Sequence, residues 1–154
     1  MNLLVSKADF NNVVNISVNV KDAHLNVHIA NAQSFTLRDW LGVDLYDVIE
    51  ATPTDARFTD LLPLIKRVLV RLTYANYILE SRVTDTQFGG VQKQGEFTQM
   101  AEYKQIVRLS ETEKERAKAE FENVTKYLND NSTLFPEWFV NCTSQYKYKY
   151  TVIN

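Results

Sequence analysis

Apolar residues recur at helical spacing through most of this chain, most densely over 61–82, LLPLIKRVLVRLTYANYILESR. Projected at about 100° per residue, Leu61, Ile65, Val68, Leu69, Leu72, Ala75 and Leu79 share one broad face, as a core-facing helix requires. The opposite face carries Lys66, Arg67 and Arg71, but Val70, Tyr74, Tyr77 and Ile78 lie among them. A helix apolar on both sides has two neighbours. One is its own core; the expected second is another subunit, met through Val70, Arg71, Tyr74 and Tyr77.

The flanking patterns supply partners for this central helix. Asp22 can cap a helix over 23–41, whose periodic run passes through Leu25, Ile29, Ala32 and Trp40 and ends at Gly42. A shorter helix covers 44–51 and stops before Pro53, and 54–60 is a polar connection with room for a helical turn. Pro63 sits in the first turn of the central helix, where its missing amide costs little. Ahead of these, 3–20 is a lead-in, with Val13, Val14 and Ile16 forming a short strand. Thr98 opens a long helix to about 129, in which Ala117, Phe121, Val124 and Leu128 repeat at heptad-like spacing. Its stretch 110–116 is almost wholly polar. One uninterrupted helix is expected there, since no proline or glycine intervenes, with intrahelical pairs such as Glu111 with Lys114 and Glu122 with Lys126.

Two segments change period. Across 83–97, Thr84, Thr86, Phe88 and Val91 favour extended backbone, and Gly89 and Gly90 suit a two-residue turn, so an exposed β-hairpin arm is expected. A disordered loop is the alternative. After Asn129 to Ser132 ends the long helix, Pro136 begins an aromatic piece with Trp138 and Phe139. Tyr146, Tyr148 and Tyr150 then alternate with Lys147, Lys149 and Thr151, the two-residue repeat of a strand. This predicts an extended terminal segment over 143–154. It needs a partner: the Val13 region, the Gly89 arm, or another protein's sheet edge. The expected class is mainly α, a small helical bundle with a long C-terminal helix, a β-hairpin arm and a short terminal strand, within one domain spanning 1–154.

Composition narrows the picture. With 45% hydrophobic and 23% charged residues, 154 residues suffice for one folded core. No apolar run approaches the roughly 20 residues that span a bilayer, and the start lacks the pattern of a signal peptide, so a cytoplasmic origin without a membrane is expected. Net charge is only -2 but uneven: 1–60 carries four basic and eight acidic side chains, 61–110 seven basic and four acidic. Such blocks satisfy each other within a fold, or mark a nucleic-acid-binding stripe, here Arg67, Arg71, Arg82, Lys93 and Arg108.

Candidate chemistry is thin. His24 and His28 stand four apart, yet a metal site needs more ligands and Cys142 is the one cysteine, so helix-surface histidines are the better reading. Carboxylate pairs such as Asp44 with Asp47 lack a neighbouring nucleophile or base. Gly89-Gly90 followed by Lys93 lacks the spacing of a phosphate-binding loop. The Tyr-Lys alternation could stack single-stranded nucleic acid, or form an amphipathic strand. Four glycosylation sequons are what 13 asparagines give by chance. Neither an enzyme nor a cofactor is expected.

One resemblance runs through roughly 20 to 140. A helix ending in Trp40-Leu41-Gly42, then Leu45-Tyr46, Leu61-Leu62-Pro63, Phe88-Gly89-Gly90-Val91, Tyr127-Leu128 and Phe135-Pro136-Glu137-Trp138, resembles the small helical head-tail connector proteins of tailed bacteriophages, particularly those of gut Bacteroidetes phages. The resemblance implies a structural virion protein at the head-tail junction, made in the host cytoplasm. It implies an adaptor ring of about twelve copies, bound to the portal and to other neck or tail proteins around the DNA channel, where it can touch DNA non-specifically. It also implies that Phe88, Gly89, Gly90 and Val91 form a docking arm, and that no catalysis or cofactor is involved. The competing reading is a nucleic-acid-binding accessory protein using the basic stripe.

Overall fold

The computed structural model describes residues 2–17, 19–80, 83–86, 89–92 and 98–140, with side chains for 2–17, 19–80 and 103–139. Two antiparallel helices dominate: α5 (Leu61–Glu80) and the 33-residue α6 (Thr98–Asp130) form the most extensive contact in the protein. The polar stretch 110–116 does continue the helix, as expected. Around this pair lie α1 (Lys7–Phe10), α2 (Asp22–Asn31), α3 (Arg38–Leu41), α4 (Val43–Ala51) and α7 (Glu137–Val140).

The core is built where the helical stripes meet. Leu61, Ile65, Val68 and Leu69 of α5 and Ala117, Phe121, Val124 and Leu128 of α6 are fully buried. Leu25, Ile29, Leu37, Leu41, Leu45 and Ile49 close over them from the earlier helices. Trp40 packs on Phe121 with ring centroids 5.1 Å apart. Beyond α6 the chain folds back, and Phe135 stacks on Phe58 at 6.1 Å while the Trp138 indole donates to Asn129 Oδ1 at 2.9 Å. Arg57 fastens this return by donating to Glu137 Oε1 at 3.0 Å.

The first long helix departs from the simple expectation. Lys21, not Asp22, occupies the N-cap position, with Asp22 in the first turn beside the unpaired amides. Between α2 and α3, Ala32–Leu37 winds as a π-helix. A π turn holds more residues than an α turn. Gln33 and Leu37, at its second and last positions, are both fully buried. Gln33 then spends its amide on the N-terminal segment: Oε1 accepts from Leu4 N at 3.0 Å, and Nε2 donates to Asn2 O at 2.7 Å and to Tyr46 Oη at 3.0 Å. A buried amide with its hydrogen-bonding capacity used is a fixed point rather than a defect.

Two β expectations are corrected, and with them the expected fold class: among the described residues the domain is helical. Val13, Val14 and Ile16 form no strand; Val13 and Val14 donate to Phe10 O in a turn, and Ile16 is buried against the core. Among residues with described side chains no strand occurs. The backbone of β1 (Val83–Thr86) and β2 (Gly89–Gln92) pairs only with itself, so it joins α5 to α6 without adding a sheet layer. Gly89 and Gly90 do not form its turn; they stand opposite Thr86 and Asp85 in the ladder. A two-stranded ribbon buries too little apolar surface to act as a structural element of its own. The expected terminal strand with Tyr146, Tyr148 and Tyr150 lies outside the described residues, as do Phe88 of the arm and the rest of 143–154.

Gly42, between α3 and α4, has φ 80° and ψ 149°. Any Cβ there would clash with the backbone, so only glycine turns the chain sharply enough to lay α4 back over the core. Gly42→Ala should therefore destabilise the domain by about 1–3 kcal/mol in chemical denaturation, without loss of helix content in the folded state. A change below about 0.5 kcal/mol would contradict this account of the turn.

Candidate assembly surface

The face of α5 expected to meet another subunit is occupied from within. Arg71 Nε donates to Glu120 Oε1 and its NH1 to Glu113 Oε2, both at 2.7 Å, and Arg116 holds the other oxygen of Glu113 at 2.7 Å. The Arg71 side chain is 17% exposed and that of Glu113 only 4%. Burial alone would push the Arg71 guanidinium down, but the bonds to Glu120 and Glu113 more than offset it and hold its pKa above the ordinary value. Beside them, burial first and then the charge of Glu113 raise the Tyr74 hydroxyl. Ser110 Oγ donates to Ala75 O at 2.9 Å, so a polar seam runs between the two helices.

The four residues expected at a subunit interface fall in different settings. Val70 is fully buried and belongs to the core, Arg71 is saturated by two carboxylates of its own chain, and Tyr74 and Tyr77 are half-buried against the core. The basic stripe loses its centre for the same reason. Arg67 and Arg108 remain exposed, while Arg82 and Lys93 lie outside the described residues. A signal for the seam was present in the sequence: extending the stripe Leu128, Val124, Phe121, Ala117 backward by one turn lands on Glu113 and then Ser110. Both are buried.

A second cluster joins α2 to the end of α5. His28 is buried, contrary to the surface reading, with Nδ1 3.6 Å from Glu80 Oε2 and no hydrogen-bond partner among the described residues. Its ring meets His24 at 5.1 Å and Tyr77 at 5.6 Å, both edge-on, and His24 itself is exposed. Burial lowers the His28 pKa from its usual 6.5; Glu80 opposes this and His24 adds to it. Among the described residues no group of three or more His, Cys, Asp or Glu could hold a metal ion.

What the surface offers instead is apolar. Phe35, on the π segment, is 77% exposed, and Val27, on α2, is 57% exposed. Tyr103 and Leu109 project from α6. Between the π segment, α3, α5 and α6 lies a groove of about 310 Å³ lined by Thr36, Trp40, Leu72, Asn76, Glu111, Lys114, Glu115 and Lys118. No helix among the described residues is long and apolar enough to cross a membrane. Gly89, Gly90 and Val91 of the expected docking arm sit in β2.

These features define a small helical domain whose chemistry is spent on holding its own helices in register and whose free apolar side chains face outward. The chain belongs to the family of unknown function DUF6712, which matches residues 37–148. No curated protein and no solved structure matches it. The family region thus begins at the last residue of the π segment. The preceding part nevertheless supplies Leu4, Val5, Phe10, Ile16, Leu25 and Ile29 to the same core.

Two measurements test the internal clusters. Arg71→Ala leaves Glu113 buried with Arg116 as its remaining partner and should cost about 1–3 kcal/mol in urea unfolding; a loss under about 0.5 kcal/mol would mean the pair is solvated. For His28 the folded pKa lies below the unfolded one, so the unfolded state binds the extra proton. Its contribution is fully present above pH 6.5 and is lost as pH falls from there toward the folded value. Denaturation midpoints across this range should decline on acidification, and His28→Asn should flatten the decline. Asp9 acts in a separate window. Burial pushes its pKa up, but the Ser6 amide and Lys66 outweigh that and hold it below 3.8, so its contribution disappears only at more acidic pH.

Proposed function

We propose that this chain is a structural virion protein: an adaptor that forms a ring of about twelve copies between portal and tail in the neck of a tailed phage, without catalytic activity or a cofactor. The exposure of Phe35, 77% on a domain that buries Phe10, Phe58, Phe121 and Phe135, carries the reading. A phenyl ring left in water forgoes about 1.5–3 kcal/mol of burial, which a neighbouring subunit can recover. Such side chains on a polar background mark a protein contact more often than a small-molecule site.

A ring needs two different surfaces on each subunit, because its contacts run head to tail and close by rotation. Phe35 provides one, and Leu109 on α6 offers a second. The likeness of 20–140 to head-tail connectors supplies the setting: host-made subunits that meet the portal, then the next neck protein, around a channel carrying DNA. The interface assignment moves from the Arg71 face to these outward residues.

Mixing the purified chain with its phage's portal and examining the mixture by electron microscopy should reveal a ring stacked on the portal. Phe35→Ser should reduce ring occupancy while leaving the circular dichroism spectrum unchanged. Absence of any ring on the portal in that mixture would overturn the proposal.

A further inference from the structure

We infer that the face of α6 bearing Glu111, Lys114, Glu115 and Lys118, with the groove it borders, is a self-complementary docking site for a second copy of this chain. All four side chains line the same groove, so they occupy one side of the helix. Their charges read minus, plus, minus, plus along the chain. Setting a second α6 antiparallel, with a two-fold axis between Lys114 and Glu115, brings Glu111 opposite the partner's Lys118 and Lys114 opposite the partner's Glu115. The other two positions repeat these contacts by symmetry. Every facing pair is then of opposite sign. A parallel alignment sets each residue against its own kind, so one charge pattern both favours the two-fold arrangement and rejects the alternative.

The groove beside this face adds little apolar area, so the charged pairs carry the contact. Trp40 and Leu72, nearly buried in the single copy, are its least exposed lining residues, and Thr36 and Asn76 give it a polar edge. Within one copy Lys118 Nζ lies 2.8 Å from Glu115 Oε1, with both side chains substantially exposed. A pair this open is weak and exchanges readily for one across an interface. Arg116, by contrast, is committed to the buried Glu113 and is not a groove residue. A two-fold contact closes on itself. Free subunits paired this way cannot extend into filaments, which suits a protein meant to assemble on a template; the inference concerns the free chain and stands apart from the ring proposal.

Sedimentation of the isolated protein over a range of concentrations tests it, with no portal present. The mass should rise from monomer to dimer with concentration at low salt and fall back as salt is added. Lys114→Glu sets like charges face to face at two places and should raise the dimer dissociation constant about tenfold or more. The double exchange Lys114→Glu with Glu115→Lys restores opposite signs at the same places and should recover dimerisation. Circular dichroism confirms that both variants fold. A monomer at every concentration, a Lys114→Glu variant that pairs like the wild type, or a double exchange as weak as the single one would each overturn the inference.

Discussion

A guanidinium held between two carboxylates fixes how the two principal helices of this protein sit against each other. Apolar stripes on α5 and α6 would tolerate a slip of one turn, because leucine, valine and alanine repeat along both. Arg71 does not tolerate it. A slip removes it from Glu113 and Glu120, leaving Glu113 buried without its strongest partner. Such a node adds little to net stability compared with a hydrophobic replacement, yet it makes wrong registers costly. Everything packed on the α5–α6 pair inherits that alignment, including the Trp40–Phe121 contact and the groove beside it.

The N-terminal part depends on a different polar device. Gln33 ties down Asn2 and Leu4, and Lys66 of α5 holds Asp9 at 3.1 Å, so the lead-in is fastened at both ends of a short apolar wrap. The Lys66–Asp9 pair and the bond from Gln33 to Tyr46 connect 2–36 to a body that the family pattern covers from residue 37. The domain is thus a helical pair with its polar links on the inside and its unsatisfied apolar groups, Phe35 foremost, on the outside.

Helix periodicity made much of this legible. The positions of α4, α5 and α6, the buried faces of α5 and of the second half of α6, and the glycine at 42 follow from spacing and from backbone sterics that the sequence states directly. The seam did not follow. Arg71, Glu113 and Glu120 are ordinary surface residues by type, and only the meeting of two helices far apart in sequence makes them interior. Val70 belongs with them: an apolar residue among Arg67 and Arg71 reads as part of a mixed surface, yet the tertiary fold buries it fully. His28 likewise became a core residue because Tyr77 and the end of α5 cover it. The run Val13–Ile16 has strand composition, but local turn bonds to Phe10 O and the burial of Ile16 decide its conformation.

The winding of Ala32–Leu37 bears on how the chain can vary in length. A π segment is, in effect, an α-helix that has absorbed an extra residue without breaking. The helices on either side keep their inward faces because the surplus is taken up locally. A homologous chain shorter by one residue at this place can keep both flanking helices and their core contacts simply by relaxing to ordinary α winding. The amide of Gln33 and the outward ring of Phe35 are then the features exposed to gain or loss, while the body they rest on remains unchanged.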